Sequence, residues 1–192
     1  MRQYLESTEF IDWECPEIIE LAETLKIGLV SDVDIARACF EYVRDSIMHT
    51  SDFKIDIITS KASDVLHHKT GYCYAKSHLL AALLRANKIP AGLCYQRLSV
   101  SGQGGPYCLH GLNAVFLTRY GWYRVDARGN KPGVNADFIP PIEQLAFPVD
   151  GEEECDIQGV WSEPLSQVTT VLQRYNSYLE VNKNLPDVQT FN

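Results

Sequence analysis

At 192 residues, 45% hydrophobic and 22% charged, the chain has ordinary globular composition, and its length suits a single domain (1–192) around one core. A net charge of −8 and a pI near 5.1 argue against binding to nucleic acid or anionic lipid, so neither is expected as a partner. No apolar run approaches the roughly 20 residues of a membrane helix. The opening "MRQYLESTEFIDWECPEIIE" is acidic throughout and has no signal-peptide core, so a cytoplasmic location is expected.

In chain order, Pro16 suits the first turn of a helix running to about Lys26. A second helix begins at "SDVDIARACFEYVRDSI", with Ser31 as cap and a stripe of Ile35, Cys39, Tyr42, Val43 and Ile47. "ASDVLHH" reads as a short helix capped by Ser63. A long helix then runs from about Gly71, capped by Thr70 or Gly71, to Asn87, with Pro90 forbidding its continuation. "AGLCYQRLSV" alternates as a strand does, and "SGQGGP" is a loop. "HGLNAVFLT" and "WYRVDA" flank "RYG" as a hairpin, with Gly121 supplying a positive φ. The proline-rich "RGNKPGVNADFIPPIEQLAFPVDGEEE" predicts surface loop with short pieces of structure, and "EPLSQVTTVLQRYNSYLE" one amphipathic helix. Helices followed by antiparallel strands make the fold class α+β.

Six cysteines invite a disulfide reading, but a cytosol keeps thiols reduced and a core of this size needs no staples. Each is by default a buried, inert thiol. Cys73 differs by position, because a helix N-terminus favours the thiolate and its unpaired N–H groups can hold an oxyanion. A nucleophilic thiol also needs a base and a group to orient that base. Of five histidines, His67 and His68 precede the helix, His78 points to another side, His49 follows the second helix, and His110 begins a strand. Parity places His110 and Asp126 on one face of the hairpin, but a "RYG" loop leaves them four residues out of register, about 13 Å apart. Cys73, Cys94, Cys108 and His110 lack the short paired spacings of a zinc site, and "SGQGG" lacks the phosphate-loop lysine. No metal and no cofactor are therefore expected.

The segments "GYCYAKSHLLAALLRANKIPAGLCYQRL", "LHGLNAVFL" and "GWYRVDARGN" resemble the transglutaminase-like core of the papain-like thiol enzymes, over roughly residues 35 to 130. The whole chain is similar to the small single-domain bacterial members, whose tails also carry a segment like "NADFIPPIEQLAF". The resemblance implies a central helix packed on an antiparallel sheet. It makes Cys73 the nucleophile, His110 the base and Asp126 the group that orients it. The implied chemistry is thiolate attack on an amide or ester carbonyl of a peptide, protein or small amide, giving a thioester that water or an amine resolves. His49 stands where relatives often carry an aromatic oxyanion donor, and calcium activation is not implied. Two other readings stand beside a hydrolase: arylamine N-acetyltransferase-like transfer from acetyl-coenzyme A, and a non-catalytic binding module on the same fold.

Overall fold

The computed structural model describes residues 1–188, and the elements follow the expected α+β order. After a 3-10 turn at Arg2–Tyr4 come α1 (Pro16–Leu25) and α2 (Asp32–Ser46), whose Ser31 cap accepts from the Asp34 N–H at 3.0 Å. Next are β1 (Met48–His49), α3 (Thr50–Phe53), α4 (Ala62–His68), β2 (Thr70–Gly71) and α5 (Cys73–Ala86). Then follow β3 (Ala91–Ser99), β4 (Tyr107–Leu117), β5 (Gly121–Val125), β6 (Asp137–Ile139), β7 (Ile142–Gln144), β8 (Cys155–Trp161), α6 (Ser166–Arg174) and α7 (Tyr178–Lys183). Among the described residues, no helix is long and apolar enough to cross a membrane.

The main sheet is antiparallel in the order β5-β4-β3-β8. α5 packs on β3 and β4 with one side and on α1, α2 and α4 with the other. Every residue from Cys73 to Arg85 is buried. That explains why α5 has no polar stripe. Arg85 is fully buried, and no carboxylate among the described residues forms an ion pair with its guanidinium. It donates instead to four acceptor contacts at 2.7–3.0 Å, two on the Ala91 carbonyl and one each on those of Glu6 and Ser162. Burial pushes its pKa down to about 10, against the pull of Glu163. Arg85→Met leaves those carbonyls without a donor and is expected to lower stability by about 2–4 kcal/mol. The denaturant midpoint at constant m-value checks this.

Several expectations shift. Ser63 lies inside α4 rather than capping it: Lys61 is the N-cap, and Asp12 accepts from both the Ser63 N–H (3.0 Å) and hydroxyl (2.5 Å). The last expected helix is two, α6 and α7, because Ser177 caps a new start by accepting from Glu180 N–H. β8 is a strand the sequence reading did not anticipate. The hairpin loop is Thr118–Tyr120, one residue earlier than "RYG", closed by Leu117 opposite Gly121 at φ +76°. Asp32 fixes that loop by accepting the Thr118 N–H at 2.7 Å.

Candidate active site

Cys73 is the first residue of α5, and its N-cap is Tyr72 rather than Thr70 or Gly71. Those two residues are extended and pair in parallel with Met48 and His49. The first intrahelical bond runs from the Lys76 N–H to the Tyr72 carbonyl at 2.9 Å. The N–H groups of residues 73–75 therefore have no partner within the helix and stand beside the sulfur. A further donor comes from the sheet, where the Gly111 N–H points at Cys73 Sγ from 3.5 Å. That approach needs glycine. A Cβ at position 111 would lie 2.9 Å from Tyr74 Cδ1 and 3.1 Å from Tyr74 Cα, forcing β4 off the helix. Tyr74 ties the same junction by donating its hydroxyl to the Leu109 carbonyl.

His110 stands on β4 with its ring edge-on to Phe147, 5.0 Å between centroids. Its Nε2–H donates to Asp126 Oδ2 at 2.7 Å, and Cys73 is its other side-chain partner, which leaves Nδ1 to face the sulfur. The shifted loop accounts for the contact. In the observed register Asp126 lies two positions from the residue opposite His110, and such diagonal neighbours are within reach of long side chains. Asp126 is fully buried and saturated: Oδ1 accepts the Arg128 N–H at 3.0 Å, and Oδ2 also accepts the Ala146 N–H at 3.1 Å.

Burial of His110 opposes its charging, but the adjoining Asp126 carboxylate and Cys73 outweigh it and push the imidazole up to about 10. Burial likewise opposes ionisation of Asp126, yet His110 and the two backbone donors hold its carboxyl below the usual range. Because the folded ring keeps its proton above the ordinary value of 6.5, its contribution is full below pH 6.5 and is lost as pH rises through about 10. Across that window stability is expected to fall with a slope of up to about 1.4 kcal/mol per pH unit. The slope should disappear in His110→Gln, as measured by urea denaturation between pH 6 and 10.

Cys73 and His110 open on a cavity of about 770 Å³, which His49, Cys108, Arg128 and Leu185 also line. His49 arrives there because β1 pairs with β2 and sets it beside Gly71. Burial, then the nearby Arg128, holds its imidazole well below the ordinary value, so the ring is neutral. Asp52 accepts both Arg128 Nη atoms, at 2.6 and 3.0 Å, and Lys131 Nζ at 2.7 Å.

The other histidines lie elsewhere. His67 and His68 are exposed at the end of α4. His78 is buried against the Ser60 carbonyl at 2.7 Å, and burial pushes it down to about 4. Cys108 shares the cavity, but burial raises its thiol to about 12. Gly111 is the site residue that sequence reasoning missed. A glycine inside an alternating strand was the available signal.

No curated protein matches the chain. A crystal structure of a candidate cysteine protease from Cytophaga hutchinsonii superposes with a TM-score of 0.52 at 18% identity, covering 65% of this chain and 40% of that one. The periplasmic domain of TgpA from Pseudomonas aeruginosa gives 0.48 at 19% identity, covering 65% and 45%. The chain thus matches less than half the length of either protein. The model of the transglutaminase-like superfamily matches residues 19–127, a span holding Cys73, His110 and Asp126, and the chain belongs to that superfamily.

Proposed function

We propose that the chain is a cysteine-dependent acyl-transfer enzyme that attacks an amide or ester carbonyl of a peptide, with water as the acceptor. One observation carries this reading: a sulfur at the start of a buried helix faces an imidazole whose far nitrogen is held at 2.7 Å by a buried carboxylate. Asp126 sets the tautomer and orientation of His110, and the Nδ1 proton passes between His110 and sulfur or leaving group. Cys73 attacks the carbonyl carbon as the thiolate while His110 holds the proton. The tetrahedral oxyanion forms against the free N–H groups at the start of α5, with the neutral His49 ring as a further donor. On collapse His110 protonates the departing amine or alkoxide, leaving the acyl group on Cys73 as a thioester. His110 then takes a proton from water, and the second collapse returns the thiolate and frees the acid.

Water is favoured over an amine because the cavity is open to solvent and carries charged and polar side chains among a mostly apolar lining. His49, Ser51, Arg128, Lys131, Asp150 and Glu154 line it, and an enzyme reserved for amine acceptors must keep water out. Six free thiols suit a reducing cytoplasm. The test is to incubate the chain with a library of peptide esters and amides, quench in acid, and weigh the intact protein. An acyl adduct mapped to Cys73 and discharged by hydroxylamine supports the reading. Acetylation of Cys73 by acetyl-coenzyme A alone would replace peptides with an acetyl donor, and no adduct with any acyl donor would leave a binding module.

A further inference from the structure

The half of β4 nearest the nucleophile lacks a strand on one side. β5 pairs only with Asn113–Leu117, so residues 107–112 offer their outer edge. Along that edge two backbone N–H groups point outward in succession. That of Gly111 meets Cys73 Sγ, and that of Leu109 donates to the Pro186 carbonyl at 2.7 Å. Two residues of strand span about 6.6 Å. A segment following α7 is thus hydrogen-bonded to the sheet one strand repeat from the sulfur.

Its side chains fasten it there. Arg97, the cross-strand partner of Leu109, grips Asp187 with Nε at 2.8 Å and Nη2 at 2.9 Å. Asp187 Oδ1 also accepts the Val188 N–H at 2.8 Å, and Leu185 lines the cavity that holds Cys73 and His110. Upstream, Tyr72, the residue before the nucleophile, donates its hydroxyl to the Tyr178 carbonyl (3.0 Å) and Asn182 Oδ1 (2.9 Å). Asn182 in turn donates to Ser51 Oγ at 2.9 Å. α7 is therefore pinned to the cleft wall, and the strap after it crosses the open strand edge.

An extended peptide with its scissile carbonyl at Cys73 continues along the nearest unpaired strand edge, where main-chain bonds supply affinity. That edge is the one the strap fills. We propose that Leu185–Val188 is a tethered competitor, occupying the edge of β4 that an extended peptide substrate takes, and that substrate must displace it to reach Cys73. This rests on the acyl-transfer reading above and adds the binding mode and its regulation. A strap closed about nine-tenths of the time lowers apparent substrate affinity about ten-fold.

The experiment uses the full chain, Asp187→Lys, which repels Arg97, and Arg97→Gln, which frees the same end from the other side. Cys73 alkylation is timed with iodoacetamide, small enough to pass the strap, and with a tripeptidyl chloromethyl ketone, which needs the edge. Both variants are expected to react about ten-fold faster with the peptidyl reagent and within about two-fold of wild type with iodoacetamide. Where Cys73 reacts with iodoacetamide, equal acceleration by the two reagents, or none, overturns the strap. A second arm does not depend on sulfur chemistry. A fluorescein-labelled peptide of sequence NLPDV (Asn184–Val188) should bind the Asp187→Lys chain and not the wild type, read by anisotropy. Binding to neither chain overturns the proposal. Should Cys73 resist both reagents while the peptide still binds only Asp187→Lys, the acyl-transfer reading fails and the strap stands.

Discussion

Replacing Cys73 with alanine is expected to abolish thioester formation and to lower kcat by about six orders of magnitude, the usual scale for losing a covalent nucleophile. Nothing else in the cavity takes its place. Cys108 is the other thiol there, and with burial raising it to about 12 it is almost wholly protonated at neutral pH. The fold should survive. The sulfur takes a long contact from the Gly111 N–H at 3.5 Å and faces His110, and losing the first costs about 1 kcal/mol or less. Cys73→Ser is the sharper control, because it keeps an acceptor for Gly111 and removes only the nucleophilic sulfur. Intact-mass detection of the acyl adduct, with circular dichroism to show the fold, separates chemistry from collapse. An adduct on Cys73→Ala chain would move the nucleophile elsewhere.

Asp126→Asn is expected to lower kcat/KM by about 10³–10⁴-fold, the cost of releasing a catalytic imidazole from its orienting carboxylate. Here the substitution is harsher than a loss of charge. The two Asp126 oxygens face three donors: His110 Nε2–H and the N–H groups of Arg128 and Ala146. An asparagine amide turns its NH2 toward at least one of them, leaving a buried donor unsatisfied at a cost of about 1–3 kcal/mol. It also removes the carboxylate that outweighs burial and holds His110 high, so the imidazole should titrate lower. The measurement is the pH profile of kcat/KM beside the denaturation midpoint. Both should move, the alkaline limb toward lower pH and the midpoint toward less denaturant. A lower midpoint with unchanged activity would make Asp126 a structural residue only.

The residues proposed as nucleophile, base and orienter stand out in the sequence because each sits beside a local signal: a glycine-x-cysteine before a helical run, a histidine at a strand start, and an aspartate ending an aromatic strand. Their contact was not legible. It turns on the hairpin closing at Leu117 and Gly121, a one-residue choice that Asp32, far back in the chain, helps to make by holding Thr118. The start of α5 was read two residues early because Thr70 is a good cap in isolation. In the folded chain Thr70 is committed to β1, with its hydroxyl 3.0 Å from that of Thr50 and 3.2 Å from the Met48 carbonyl. Ser63 was misread for the same reason: its hydroxyl serves Asp12 across the fold. β8 was missed because its pairing with β3 is broken by a bulge, and Gly159 at φ +130° interrupts its alternation. The split between α6 and α7 was available, since Ser177 and Glu180 have capping-box spacing. The apolar periodicity on either side hid it.

The complete burial of α5 limits where a substrate-driven closing motion can occur. A helix wedged between β3 and β4 on one side and α1, α2 and α4 on the other cannot tilt without carrying all of them. Cys73 is therefore a fixed point, and adaptation to substrates of different size falls to the rim. Two stretches there are exposed along their length, Val100–Pro106 and Pro148–Glu153, and both contribute residues to the cavity mouth. Variation in what the proposed site accepts should accumulate in these two loops and leave the helix that holds the sulfur untouched.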